Sequence, residues 1–227
     1  MSHSGGTGIR AALKMLFAAR RLWVRVPPVA FMNLAIFVSG SGTTLNAIAR
    51  AIENKRLKSR IVLVVASRID APALENYVKP RNIPFEVIRK KDFENEKKYG
   101  KAILAALKKY GADFICLAGF LQKIPANVIE KFRVRIINSH PGDTRKYGGE
   151  GMYGRFVHEA VLKNQEKETM STIHYADEIY DNGNIISQIK LPITPNIKTP
   201  EELAAKLLPI EWENYVSVLE KIEKENG

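Results

Sequence analysis

MNLAIFVSGSGTTLNAIAR, residues 32–50, changes character twice along its length. Asn33–Val38 is a compact apolar run rich in strand formers. Ser39–Gly42 is a glycine-serine turn, and from Thr43 onward apolar residues return at helical spacing (Leu45, Ile48, Ala49). A strand that passes through glycines straight into a helix opens a βαβ unit, the building block of parallel sheets.

The same grammar continues outward from this stretch. Short apolar, β-branched runs recur at 60–66, 84–88, 112–117 and 134–138. Between them lie the helical-period segments TTLNAIARAIENK, DAPALENYVKP and EKKYGKAILAALKKYG, and a short helix is predicted for NVIEKF at 127–132. Strands alternating with helices predict an α/β fold with a mainly parallel, twisted sheet, right-handed crossovers and helices on both faces. The later runs TMSTIHYA and NIISQIKLPI flank a turn around DNGN, which predicts an antiparallel C-terminal pair. The last helix begins at TPEELAAKLLPIEWENY, with a Thr cap and Pro at its first position. No repeat or linker interrupts 32–227, so a single domain is expected there.

Residues 1–31 stand apart. They carry Arg10, Lys14, Arg20, Arg21 and Arg25 and no acid, and the first acidic residue is Glu53. Such a basic, partly amphipathic leader reads as an organellar transit peptide, an upstream start or a vector-derived segment, with Met32 as a candidate start. It is expected to stay outside the core. Without a transit peptide the compartment is cytoplasmic.

The net charge of +11 owes much to that leader, and beyond it the signs mix, as in ENEKKYGKAILAALKK. No basic-aromatic surface pattern accompanies the charge, so no nucleic-acid partner is expected. No apolar stretch approaches the ~20 residues that span a bilayer, so no membrane partner is expected either. The single cysteine, Cys116, lies in the apolar run FICLAG and is expected to be a buried, inert thiol. The partners expected are small molecules, acting on a monomer or a homodimer.

In an open parallel sheet, ligands bind beyond the carboxyl ends of the strands. That directs attention to SGSGTT, AGFLQKIP and NSHPGD, after the first, fourth and fifth strands. Gly40 and Gly42 let a ligand approach the backbone, and the free N–H groups at the helix start favour an anion. SGSGTT is no P-loop, because no GK[ST] follows, and Leu45 occupies the third glycine of a dinucleotide fingerprint. A plain structural turn, a phosphate monoester site and a dinucleotide site all remain open from this turn alone.

The fifth strand ends in RIINSHPG. Alternation along an extended chain puts Asn138 and His140 on one side, with Ser139 turned away. A carboxamide can donate to a developing oxyanion, and an imidazole can move a proton near neutral pH. Together they suit acyl or formyl transfer to an amine. Asp181, in the turn IYDNGNII, is the carboxylate expected to orient the ring. His158 and His174 lack a metal-ligand spacing partner, and both are expected to pack or to support the site from behind. No metal is expected.

Three separated pieces, MNLAIFVSGSGTTLNAI, DFICLAGFLQKIP, and RIINSHPG with STIHYADEIYDNGNIISQ, resemble the phosphoribosylglycinamide formyltransferase family in order and spacing over 32–225. The resemblance implies a Rossmann-like formyltransferase fold. It also implies transfer of the formyl group of 10-formyltetrahydrofolate, as co-substrate, to the amine of 5′-phosphoribosylglycinamide in purine synthesis. It assigns catalysis to Asn138, His140 and Asp181, and the ribonucleotide to Gly42, Thr43, Thr44 and Glu211. It assigns the folate to Leu121, Gln122, Lys123, Ile124, Asn138, Asp177, Glu178, Ile179, Tyr180 and Asp181. The pterin head is expected between the fourth-strand loop and the DEIYD loop.

The chain departs from the family in GDTRKYGGEGMYG, which replaces a Ser-Leu-Leu-Pro-Lys loop. It departs again at Glu96, where many relatives carry an arginine, leaving Lys97 or Lys98 for the folate tail. Leu208 and Trp212 also differ from many relatives. A formyltetrahydrofolate hydrolase and a non-catalytic phosphate-ligand binding domain are the alternatives. The former carries an extra N-terminal domain, which 31 residues cannot supply. A tRNA formyltransferase is disfavoured because the chain ends soon after its last helix.

Overall fold

The structure is a computed structural model and describes residues 31–226. The leader reading for 1–31 lies outside the described residues except at Phe31.

Seven strands form one sheet: β1 (Asn33–Val38), β2 (Arg60–Ala66), β3 (Phe85–Val87), β4 (Phe114–Leu117), β5 (Ile136–His140), β6 (Glu168–Tyr175) and β7 (Ile185–Pro192). Their order is β3-β2-β1-β4-β5-β6-β7. The first five pair parallel, whereas β6 runs antiparallel to both β5 and β7. From β1, in mid-sheet, the chain runs out to β3 and crosses back to β4, so the order reverses between β1 and β4. That reversal opens a crevice at the carboxyl ends of β1 and β4.

Strand alternation builds two cores. Leu34, Ile36 and Val38, with Val64, Ala66, Phe114 and Cys116, face one side. Ala35 and Phe37, with Leu63, Val65, Ile115 and Leu117, face the other. Helix α1 (Thr43–Glu53) buries Leu45, Ile48 and Ala51 on the first side. Helix α2 (Glu96–Lys109) buries Tyr99, Ile103, Ala106 and Leu107 on the second, joined by the short α3 (Ala126–Lys131). Asn95 starts α2 by accepting a hydrogen bond from the Lys98 N–H at 2.9 Å.

A short helix, α4 (Thr144–Tyr147), and then α5 (Arg155–Lys163) follow β5. The last helix, α6 (Pro200–Asn226), returns to the first face. Its start is a capping box: Thr199 Oγ1 accepts from the Glu202 N–H, and Glu202 Oε2 accepts from the Thr199 N–H. The buried Tyr215 hydroxyl of α6 lies within hydrogen-bond distance of the Leu117 and Ile137 carbonyls, tying the helix to β4 and β5.

Two expectations need correction. DAPALENYVKP is not a regular α-helix but a π turn (Leu74–Val78) followed by a 3-10 turn (Lys79–Arg81). Pro80 has no N–H for the carbonyl four residues back, and the Lys79 N–H reaches Leu74 instead. The fifth strand was expected to end at Asn138 but runs to His140, because β6 pairs with it through His140↔Thr172. The loop that follows begins with a turn of helix.

Candidate active site

The turn after β1 leaves Gly42 in the left-handed region (φ 73°) as the residue before α1, with no side chain capping the helix. A Cβ there would come within 2.5 Å of the Ala73 Cβ, so glycine is required. The first N–H groups of α1, at Thr43 and Thr44, therefore face the crevice without intrahelical partners. The turn is held from below. Ser39 Oγ accepts from the Leu121 N–H at 2.9 Å and from Ser67 Oγ at 2.7 Å, joining the loops after β1, β2 and β4.

Asn138 and His140 come up from β5 on one side of the strand, as alternation predicted, and meet Asp181 from the turn before β7. Asp181 Oδ2 lies 3.5 Å from His140 Nδ1, and Oδ1 lies 3.3 Å from Asn138 Nδ2. Oδ2 also accepts the Gly149 N–H at 3.0 Å. His174 completes the cluster. It pairs with Asn138 in the β5–β6 register, and its Nε2 lies 3.2 Å from Asn138 Nδ2 and 3.4 Å from Asp181 Oδ1. His174 Nδ1 lies 2.9 Å from the Tyr175 carbonyl, to which only an N–H can bond, so in the neutral ring Nε2 is the acceptor. Both hydrogens of the Asn138 amide are then committed inside the cluster. Thr172 Oγ1 donates to the Gly142 carbonyl at 2.7 Å and pins the chain just past His140.

Burial is the largest influence on the His140 imidazole and pushes its pKa below the ordinary value. Asp181 opposes this shift and His174 reinforces it. For Asp181, burial works against ionisation, but the His174 ring, which can donate to it only when charged, the His140 charge and the Gly149 N–H outweigh it. Its carboxyl therefore sits below the usual range. Burial lifts the Cys116 thiol to about 12, which fits an inert core residue.

These groups border one cavity of about 790 Å³, walled by Gly42–Thr44, Asn138, His140 and Asp181, by Gly149–Arg155, and by Leu208 and Glu211 of α6. Ser139, expected to turn away, borders it too. Glu211 makes no hydrogen bond among the described residues, and burial raises its carboxyl to about 7. A second, narrower cleft adjoins at Asn138 and Asp181, lined by Gln122, Lys123, Ile124, Asp177, Ile179 and Tyr180. The expected folate residues thus gather there, except Leu121, which borders the large cavity, and Glu178, which borders neither. Leu121, Ile179 and Tyr180 leave apolar surface exposed at the rim. Lys98 is engaged by Glu94 at 2.5 Å.

Both remaining histidines near the site were expected to pack or to support it from behind. His174 touches both Asn138 and Asp181. His158 borders the large cavity directly. Among the described residues no cluster of three or more His, Cys, Asp or Glu could hold a metal, and no helix is long and apolar enough to cross a membrane.

The family model for formyl transferases matches residues 32–219. Over 194 residues, 85% of this chain, the sequence is 37% identical to the chloroplastic phosphoribosylglycinamide formyltransferase of Arabidopsis thaliana. The chain spans between 61% and 66% of the length of three such plant relatives. It is 30% identical to the phosphoribosylglycinamide formyltransferase of Haemophilus influenzae, covering 82% of this chain and 85% of that one. The crystal structure of glycinamide ribonucleotide transformylase 1 from Geobacillus kaustophilus superposes with a TM-score of 0.77 at 31% identity, covering 84% of this chain and 98% of that one.

Proposed function

The chain belongs to the formyl transferase family, and on that premise we propose that it transfers the formyl group of 10-formyltetrahydrofolate to the amine of 5′-phosphoribosylglycinamide, a step of purine synthesis. Residues 32–227 act as one formyltransferase domain. The observation that carries the reading is the meeting of Asn138, His140 and Asp181 on the wall of a cavity that also holds the bare start of α1.

The phosphate sits on the Thr43 and Thr44 N–H groups beside Gly42, where the helix dipole favours negative charge. Glu211 accepts from ribose hydroxyls. The folate pterin enters the narrower cleft between Gln122–Ile124 and Asp177–Tyr180, where Ile179 covers an apolar face. Lys97 or Lys98 meets the folate's glutamate tail.

The amine nitrogen attacks the formyl carbon, forming a C–N bond and a tetrahedral oxyanion beside Asn138. For the Asn138 amide to donate to that oxyanion, one hydrogen must leave His174 or Asp181. The proton lost by the amine passes through the His140 ring to the departing folate nitrogen as the original C–N bond breaks. When the ring is charged, Asp181 beside Nδ1 favours it, and Nε2, without a partner among the described residues, is left to carry the proton. Its compartment follows from residues 1–31: with a working transit peptide the enzyme is organellar, and otherwise cytoplasmic.

The test is purified protein with 10-formyltetrahydrofolate, with and without phosphoribosylglycinamide, following both the folate product and the formylated ribonucleotide. Formyl transfer only when both are present is expected. Folate release without the ribonucleotide would point to a hydrolase, and ribonucleotide binding without turnover to a non-catalytic binding domain.

A further inference from the structure

Helix α5 spends its apolar side on α6. Val157 and Val161 join Leu203 and Ile197 in a small separate core. His158, next to Val157, is only 4% exposed and borders the large cavity. Its Nδ1 is buried without a partner, and its ring makes no hydrogen bond among the described residues. Leaving a buried polar group unpaired is costly, and an apolar residue of similar volume would avoid that cost. Burial also lowers the imidazole pKa to about 4, so the ring facing the cavity is uncharged at neutral pH.

Glu211 reaches the same cavity from α6, and no ion pair or hydrogen bond joins it to His158 among the described residues. Two polar side chains on separate helices, neither paired with the other, thus border one space. The narrower cleft does not include His158. An uncharged imidazole offers little to a phosphate dianion, whose place is the start of α1. What remains between phosphate and reacting amine is an uncharged polar stretch of hydroxyl and amide groups.

Resting on the formyl-transfer reading above, we propose that His158 is a substrate-binding residue whose imidazole hydrogen-bonds that uncharged stretch of the ribonucleotide. It supplies the partner missing from the cavity wall, and the substrate in turn satisfies the ring. Its effect falls on the ribonucleotide and not on the folate.

The experiment compares His158→Met, which keeps bulk without a hydrogen bond, with His158→Gln, which keeps one. For the Met variant, KM for phosphoribosylglycinamide is expected to rise about tenfold, the scale of one neutral hydrogen bond. KM for the folate and kcat should stay close to wild type, and the Gln variant should recover much of the loss. Thermal melting establishes that each variant is folded, and His158→Leu replaces Met if the latter is not. A folded Met or Leu variant with unchanged KM overturns the proposal, as does an equal loss for both substrates. Ribose 5-phosphate binding by calorimetry gives a readout independent of turnover. If the wild type binds it without transferring formyl groups, the reaction assigned above falls. Weaker binding by the Met variant then still supports a His158 contact. A wild type that neither turns over nor binds ribose 5-phosphate overturns both.

Discussion

Replacing Glu211 by Gln tests whether an unpaired carboxyl borders the cavity. Its carboxyl is displaced from 4.5 to about 7 by burial alone. The folded protein therefore holds a proton on Glu211 between those values that the unfolded chain has released. Stability from this group is fully present below pH 4.5 and is lost as pH rises through 7. At about 1.4 kcal/mol per pH unit the loss amounts to about 3 kcal/mol. Gln cannot ionise, so urea unfolding should show wild type losing about 3 kcal/mol relative to Glu211→Gln between pH 4 and pH 8. His158 works in the opposite sense. Its imidazole is lowered from 6.5 to about 4, so its contribution is present above 6.5 and lost as pH falls through 4. The two slopes oppose each other in wild type, and Glu211→Gln should uncover a stability that climbs with pH from 4 to 6.5. Parallel pH profiles for the two proteins would refute the reasoning. A carboxylate receiving ribose hydroxyls is also easier to ionise, so ribonucleotide binding near pH 6 should release a proton, visible as a buffer-dependent binding enthalpy.

Asn138→Ala and His140→Ala should each lower kcat by at least about 10²–10³, the usual cost of removing one preorganised oxyanion contact. Near-wild-type turnover in a folded variant contradicts the assignment. Asp181→Asn should lose rate with little change in ribonucleotide affinity, and the His140 ring, followed by NMR, should titrate at lower pH because the opposing carboxylate is gone. An upward shift would show that the carboxylate does not act on the ring. Gly42→Ala must adopt φ 73° and push against Ala73, so KM for the phosphorylated ribonucleotide should rise well before the folate KM does. Equal effects on both would mean the turn does not hold the phosphate.

Much of the fold was legible because each layer leaves a local signature. The alternation of Leu34, Ile36 and Val38 with Ala35 and Phe37 assigns β1 to a sheet buried on both faces. Thr199 and Pro200 announce α6 before its first turn. Asn138 and His140 were legible as a pair because a two-residue spacing survives any tertiary detail. The contact of His174 with Asn138 was not, because it depends on the β5–β6 register, which no local spacing reports. The irregular helix near Pro80 escaped because its apolar spacing is helical while its hydrogen bonding is not. Glu211 carried no local signal. Pro200, Ala204, Leu208 and Glu211 share a helical stripe, but that this stripe borders a cavity is a tertiary fact.

The hydrogen bond from the Gly149 N–H to Asp181 comes from the glycine-rich loop after β5. The donor is main chain, so the contact makes no demand on neighbouring side chains. It asks only for a glycine at 149, where φ is 105°. Insertions and substitutions around that one position can then accumulate without disturbing the carboxylate, provided the loop still delivers an amide to the same spot. A chimaera exchanging 142–154 for a relative's segment is therefore judged by whether it restores that single donor, not by how closely the letters match.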